Sequence, residues 1–311
     1  VNQIGDLLRA RGHRVAKVPV HHGLKWVERV RRADLVFNLC EGIGAVSRYE
    51  VPVAGALELT GVPFTGASAW TITICHDKPV VNALLQSAGV PIPRWCVPPA
   101  DRLPADFPLP AIVKPAAEDA SVGIDQGSVV TSRRALRDRV AKLGTQYERL
   151  MVQQYVAGRE IAVGIVGDHV LPMSEIDFSQ MPPGHWPILS FDAKWNTGCV
   201  EDVGSRPICP AKLHPALARR IRAAAVAAWR AVRGYGYGRV DLRVDAKGQP
   251  WVLEVNPNPD ISDDAGLSRM AQATGWSYDD LVLRIVELAR QADRRPVPAE
   301  QVEGALEART A

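Results

Sequence analysis

The sequence predicts an α/β protein, and three observations carry that prediction. Over residues 1–90, short apolar runs alternate with stretches of helical period, the pattern of an open parallel sheet covered on both faces. Residues 238–256 alternate apolar and polar positions about a turn at 245–248, which marks a half-buried hairpin. Hydrophobic residues make up 47% and charged residues 23% of the 311, the balance of a globular chain and not of a disordered one. At roughly 100–200 residues per domain, that length holds two or three domains and can frame a cleft.

The elements follow in order. Val1–Ala10 has apolar residues at 1, 4, 7 and 8, a helical spacing that Gly12 ends. His13–Val20 reads as a strand, Trp26–Arg32 as a helix, Asp34–Leu39 as a buried strand, and Tyr49–Thr60 as a helix. Gly61–Thr65 is a short strand and Lys78–Ala88 a helix. A doubly wound sheet normally opens with a strand, whereas this sequence opens with a helix at Val1, so a first strand and its loop are expected to be missing. Prolines at 91, 93, 98 and 99 mark a boundary. Beyond it come a strand at Leu109–Lys114, a polar loop, a return strand at Gly127–Thr131 and a helix at Ser132–Leu143. Leu150–Val156 and Glu160–Val166 are strands, and 172–212 is a long aperiodic excursion of the kind that carries function or a lid. A helix at His214–Arg233, the hairpin, helices at Leu267–Ala273 and Tyr278–Gln291, and a polar tail from Asp293 complete the chain.

Composition excludes several functions. With 37 Lys+Arg against 34 Asp+Glu the net charge is +3, and the basic residues lie in short, scattered clusters, so neither nucleic acid nor a membrane surface is an expected partner. No apolar run approaches the roughly 20 residues that span a bilayer. The five cysteines are far apart and include no Cys-x-x-Cys pair, which argues against disulfides and zinc and predicts a cytoplasmic location. The seven histidines show no metal-ligand spacing, and Ser47 and the cysteines have no evident base, so covalent catalysis is not expected.

The hairpin is the most informative stretch. If Asp245 faces Pro250, Asp241 lies opposite Glu254 and Arg239 opposite Asn256, while Val240, Leu242, Leu253 and Val255 point to the other face. Two opposed carboxylates repel unless a cation sits between them, and Asp, Glu and Asn oxygens suit Mg²⁺ with phosphate oxygens completing its shell. A solvated hairpin face with Arg239 paired diagonally to Asp241 explains the same spacing equally well. Lys114 ends a buried strand, and the small-residue loop 118–123 after it is suited to cradling phosphate, although not in Walker order. Residues 234–238, Gly-Tyr-Gly-Tyr-Gly, follow a helix and precede a strand, so they read as a helix cap and turn, not as a dinucleotide fingerprint.

Taken together, Lys78, Val113–Pro115, Ser121–Gly123, Glu160, Gly238–Asp241 and Leu253–Asn256 resemble the ATP-grasp ligases, and among them the D-alanine–D-alanine ligases. Asp34–Asn38, Gly61–Gly66 and His76–Lys78 match the amino-terminal domain of that family. The resemblance implies an ATP-grasp fold behind an amino-terminal open parallel α/β domain. It divides the chain at 1–75, 76–165 (central subdomain), 166–292 (carboxyl-terminal subdomain with the metal site) and 293–311 (tail). It implies ATP as cofactor, with Lys78 and Lys114 on its phosphates, Ser121 and Gly123 in the loop above them, Gln153, Tyr155 and Val156 in the hinge beside adenine, and Glu160 on the ribose. Asp241, Glu254 and Asn256 would bind two Mg²⁺ ions, with Mn²⁺ as a substitute. Lys194 would reach the transferred phosphate, and Arg239 would steady the acyl phosphate and the tetrahedral intermediate. The partners implied are a small-molecule carboxylate and an amine. Related ligases are often dimers through the amino-terminal domain, so a homodimer is among the expectations.

The sequence departs from that family on the substrate side. The family holds its first substrate's amino group with a Glu–Ser–Tyr triad; the resemblance places the Glu in the first segment, which is expected to be missing, the Ser position at Ala120, and the Tyr position at Trp195. Asp260 stands where the family has a glycine, and the Ser-Leu pair that grips the second carboxylate reads Gly266–Leu267. A site that lacks a polar grip no longer selects for the group it gripped. The expected activity is therefore an ADP-forming carboxylate–amine ligase with altered amino-acid or peptide substrates. The alternatives are an authentic D-alanine–D-alanine ligase of peptidoglycan precursor synthesis and a nucleotide-binding protein without ligase activity. A bare nucleotide scaffold has no need of the Arg239–Asp241–Glu254–Asn256 set.

Overall fold

In a computed structural model, residues 1–44, 46–98, 104 and 106–292 are described, so the tail from Asp293 and part of the proline-rich boundary lie outside the described residues. The described chain forms two compact units, one of Val1–Trp70 with residues 279–292, the other Thr71–Tyr278. Among the described residues, no helix is long and apolar enough to cross a membrane.

The first unit contains α1 (Asn2–Ala10), α2 (Lys25–Val30) and α3 (Glu50–Thr60), with Trp26, Val30, Val53, Leu57 and Phe64 as its core. Among the described residues, the open parallel sheet expected here is reduced to one parallel bridge, Val36 to Phe64, with Val36 N–H on the Pro63 carbonyl (2.8 Å) and Thr65 N–H on the Val36 carbonyl (2.9 Å). Side chains cut the ladder short. Thr65 Oγ1 takes the Asn38 N–H at 2.9 Å and Asn38 Oδ1 takes the Cys40 N–H at 3.1 Å, so those donors are lost to pairing. The strand expected at 13–20 is absent as well: Val18 and Val20 pack on the core, but Arg29 takes the Lys17 carbonyl (3.1 Å).

The second unit begins along α4 (Ala69–His76) and continues with α5 (Lys78–Ser87), which Asp77 caps by accepting the Val80 N–H at 3.1 Å. A four-stranded antiparallel sheet follows, built from β1 (Trp95–Cys96), β2 (Ala111–Pro115), β3 (Val129–Val130) and β4 (Leu150–Gln154) in the order β1-β4-β2-β3, with α6 (Arg133–Gly144) beside it. Its helix-side core is Ala111, Val113, Leu136, Val140 and Val152.

The larger sheet is also antiparallel. It contains β5 (Arg159–Val166), β6 (His169–Val170), β7 (Ser174–Asp177), β8 (Arg206–Ile208), β9 (Tyr237–Val244) and β10 (Pro250–Asn256), in the order β10-β9-β5-β7-β8 with β6 on β5. The aperiodic excursion thus supplies two sheet strands, β7 and β8, and two short helices, α7 (Phe191–Trp195) and α8 (Val200–Val203). The helix α9 (Pro215–Ala231) covers one face, burying Ile221, Ala224, Ala225, Ala228 and Trp229 against Val163, Val240, Leu242 and Val255. Glycine at 234 and 238 has a packing reason: a Cβ there would lie 2.1 and 2.3 Å from the Trp229 ring. The left-handed residue closing α9 is Arg233, φ 55°, not a glycine. The remaining elements are α10 (Gly266–Gln272) and α11 (Tyr278–Gln291).

Candidate active site

The uncovered face of the larger sheet is laid out in rungs across β5, β9 and β10. Arg243 lies between Glu160 and Trp251, Asp241 between Ala162 and Glu254, and Arg239 between Gly164 and Asn256. Directly opposed residues share a face, so this pairing gathers Glu160, Arg243, Asp241, Glu254, Arg239 and Asn256. At the Gly164 end a Cβ would meet Leu267, Leu171 and Met270 at 2.8–3.2 Å, so α10 closes that side.

The register at the acids is the one the alternation predicts, but it is reached differently. The turn pairs Pro250 with Val244, not with Asp245, which by itself would set Glu254 opposite core-facing Val240. A β-bulge between Val252 and Glu254 absorbs Leu253 and restores Glu254 to Asp241. Leu253 is therefore half-buried, and Val252 takes the core position expected of it.

Arg239 grips Asp241 with both ends of its fork, Nε to Oδ1 and Nη2 to Oδ2 at 2.8 Å each, and Asn256 Nδ2 donates to Oδ2 at 2.9 Å. Burial alone would lower the Arg239 pKa, but Asp241, Glu254 and Glu160 carry it above normal. Glu254 is the electrostatic centre. Burial would raise its pKa, yet Lys78, Lys194, Arg239 and Lys114 hold it at about 2. Those cations come from α5, α7, β9 and β2, so four separate elements converge on one carboxylate. Burial pushes Lys114 down to about 8, against the pull of Glu254, and Lys78 adds to the fall.

Among the described residues no group of three or more His, Cys, Asp or Glu gathers as a metal site. The donor set nevertheless fits a hard divalent cation, since two carboxylates face each other and Asn256, donating through Nδ2, leaves its oxygen as an acceptor.

Lys114 Nζ donates to Gln153 Oε1 at 2.9 Å, and the buried Gln153 Nε2 has no partner. Lys78 donates to the Glu118 carbonyl and lies 3.7 Å from Asp119. The loop between is held in an unusual shape, with Ala120 and Ser121 at φ 53° and 63°. Ser121 Oγ donates to the Leu189 carbonyl (2.7 Å), Phe191 N–H to the Ile124 carbonyl (2.8 Å), and Trp195 Nε1 to the Ala120 carbonyl (3.0 Å). Gly123 has φ +74°, and a Cβ would meet Pro115 at 2.6 Å. Positions 120 and 195 are thus bonded to each other.

Arg243 was not singled out from sequence, although it follows Arg239 and Asp241 at the same two-residue period. It is 3% exposed, forks onto Glu160 Oε2 (2.7 and 3.0 Å), and touches Tyr155 OH at 3.3 Å and the Val156 carbonyl at 3.4 Å. Gln153 is bonded to Lys114, while Tyr155, Val156 and Glu160 share the Arg243 network. The substrate-side residues do not. Asp260 is occupied by Ser262, through its N–H (2.8 Å) and hydroxyl (2.7 Å), and the Leu267 side chain is fully buried. A Cβ at Gly266 would lie 3.8 Å from the Arg269 guanidinium. Trp195 is 61% exposed, its ring tilted against Phe191. All five cysteines are free thiols, and burial raises those of Cys40, Cys96 and Cys209, which argues against a thiolate nucleophile.

A family model described as "D-ala D-ala ligase C-terminus" matches residues 84–287. The chain is 34% identical over 266 residues to the uncharacterized protein y4sG of Sinorhizobium fredii, covering 84% of this chain and 76% of that one. It is 32% identical over 290 residues to a D-alanine–D-alanine ligase of Synechococcus sp. (strain JA-2-3B'a(2-13)), covering 90% and 84%. In fold it resembles the crystal structure of the D-alanine–D-alanine ligase from Bacillus anthracis, with a TM-score of 0.75, 22% identity and coverage of 93% and 92%. The chain belongs to the D-alanine–D-alanine ligase family and is an ATP-dependent ligase with the ATP-grasp fold.

Proposed function

We propose that this protein joins a carboxylate to an amine through an acyl phosphate, with amino-acid or dipeptide-like substrates other than two D-alanines. The observation that carries the phosphoryl chemistry is Glu254, set opposite Asp241 and inside the convergence of Lys78, Lys114, Lys194 and Arg239. A carboxylate is a poor electrophile. Its oxygen attacks the γ-phosphorus of ATP, ADP leaves, the amine nitrogen attacks the carbonyl carbon, and phosphate departs as the amine loses a proton. Lys78, Lys114 and Lys194 offset the charge on the phosphoryl oxygens, and Arg239 offsets that on the acyl phosphate and the tetrahedral oxygen. Asp241, Glu254 and Asn256 would hold Mg²⁺, which when bound supplies further charge neutralisation to the β- and γ-phosphates. The loop at 118–124, latched to 189–195, keeps water from the acyl phosphate.

The substrate reading rests on the Trp195–Ala120 bond. It ties the two segments together while offering no hydroxyl to a substrate ammonium, and the exposed indole presents an apolar surface instead. The name of the Synechococcus relative favours a second reading, authentic D-alanine–D-alanine ligase. Phosphate release over a panel of carboxylate–amine pairs separates them. Little release with D-alanine alone and brisk release with another pair is expected; rapid D-alanyl-D-alanine formation overturns the substrate reading and leaves the phosphoryl chemistry standing. A cytoplasmic site of action accords with the five free thiols.

A further inference from the structure

We propose that Arg243 is a positioning residue that fixes Glu160 to receive the vicinal hydroxyls of the nucleotide's ribose, which makes this enzyme select ribonucleotides over deoxyribonucleotides. The inference rests on the nucleotide reading above, with Glu160 at the ribose as the family resemblance implies, and adds to it the residue that holds Glu160 in place. Arg243 Nε and Nη2 both donate to the same oxygen, Glu160 Oε2, at 3.0 and 2.7 Å, so Oε1 keeps its lone pairs for another donor. The rest of the fork is pinned. Nη1 reaches the carbonyls of Val156 and Gly158 at 3.4 Å and the Tyr155 hydroxyl at 3.3 Å, and Nη2 also donates to the Pro187 carbonyl. The guanidinium lies 5.3 Å from the Tyr155 ring centre and 5.5 Å from that of Phe178.

A simple counter-charge for Glu160 needs none of this. Five donors in a rigid plane, all committed, fix the rotation of the carboxylate, and a fixed charged acceptor is what distinguishes a hydroxyl from a hydrogen. The same side chain joins the hinge to the excursion at Pro187. A carboxylate oxygen beside the hinge accepts from a sugar hydroxyl and offers nothing to a deoxy carbon.

The test is calorimetric binding of MgADP, Mg-2′-deoxyADP and Mg-3′-deoxyADP to the full chain, none of which can be turned over. Wild type should bind MgADP at least tenfold more tightly than the weaker deoxynucleotide. Arg243→Met should bring that ratio below threefold, and Arg243→Lys, which keeps the buried charge but not the fork, should give an intermediate ratio. In a Glu160→Ala background, Arg243→Met should not change the ratio further, a coupling that a merely structural role would not produce. Far-UV circular dichroism identifies which variants fold, and Arg243→Lys decides the matter if the methionine variant does not. A tenfold preference retained in either folded Arg243 variant overturns the assignment of Arg243 alone, and a wild type that binds MgADP without ribose preference overturns the ribose role of Glu160 with it. A wild type that does not bind MgADP overturns the nucleotide reading with it.

Discussion

The indole N–H of Trp195 donates to the carbonyl of Ala120 at 3.0 Å, tying α7 to the loop that carries Ser121 and Gly123. Ala120 and Ser121 are both left-handed, at φ 53° and 63°, a conformation costing about 1–2 kcal/mol per non-glycine residue. The loop keeps that shape because bonds from Ser121, Phe191 and Trp195 hold it.

Trp195→Phe should therefore loosen the loop while keeping an aromatic surface. It removes one hydrogen bond of about 1 kcal/mol, so the loop should open roughly three- to tenfold more often. The readout is phosphate released in excess of amide bonds formed, and this excess should rise by that factor as water reaches the acyl phosphate. An unchanged excess would show that the contact does not hold the loop.

Lys114 should set an alkaline limit to nucleotide binding. With its pKa pushed down to about 8, the ammonium is charged below that pH and lost above it, so nucleotide affinity should fall by about tenfold per pH unit above 8. Stability moves the other way. The unfolded chain, with Lys at its ordinary 10.5, binds more protons between about 8 and 10.5, so this group's contribution to stability rises with pH there. Gln153→Glu puts a negative charge on the Lys114 partner and should move the binding limb up by about 1–3 pH units. MgADP affinity as a function of pH, in wild type and Gln153→Glu, checks both statements; a limb that does not move would exclude Lys114 as its source.

The close approach at Trp229 predicts a stability effect away from the chemistry. Gly238→Ala would place a methyl group 2.3 Å from the indole and should cost about 1–3 kcal/mol in urea unfolding. Trp229→Leu should make the alanine nearly neutral when the two are combined. Additive losses in the double variant would locate the strain elsewhere.

How far the sequence reaches is visible in the hairpin. Alternation over Arg239–Val244 places Arg239, Asp241 and Arg243 on one face, because a one-residue slip would bury a carboxylate among Val240 and Leu242. The Asp241–Glu254 pair expected from an Asp245–Pro250 turn is met only because the bulge makes up the one-residue difference. The bulge at Leu253 was not legible: an extra residue absorbed in mid-ladder leaves the pattern on either side intact. Arg243 was legible by the same period but unremarked, since an arginine on a polar face has no signature until Glu160 and the hinge carbonyls are brought to it by β5. In the first unit, apolar runs at 13–20 and 34–39 look like strands. For the second run, pairing ends where the Asn38 and Thr65 side chains take up the main-chain donors, a competition that composition does not show. The pairing of positions 120 and 195 depends on a fold in which residues 75 apart in sequence meet.

The most direct test is ATP-dependent phosphate release by Glu254→Gln, assayed with the carboxylate–amine pair that wild type uses best and with Mg²⁺ titrated in both proteins. The substitution keeps the shape and removes the charge on which Lys78, Lys194, Arg239 and Lys114 converge. A loss of about a thousandfold or more is expected, with folding retained by circular dichroism. Turnover within a few-fold of wild type, at the same Mg²⁺ requirement, would contradict the placement of the phosphoryl chemistry at Asp241 and Glu254.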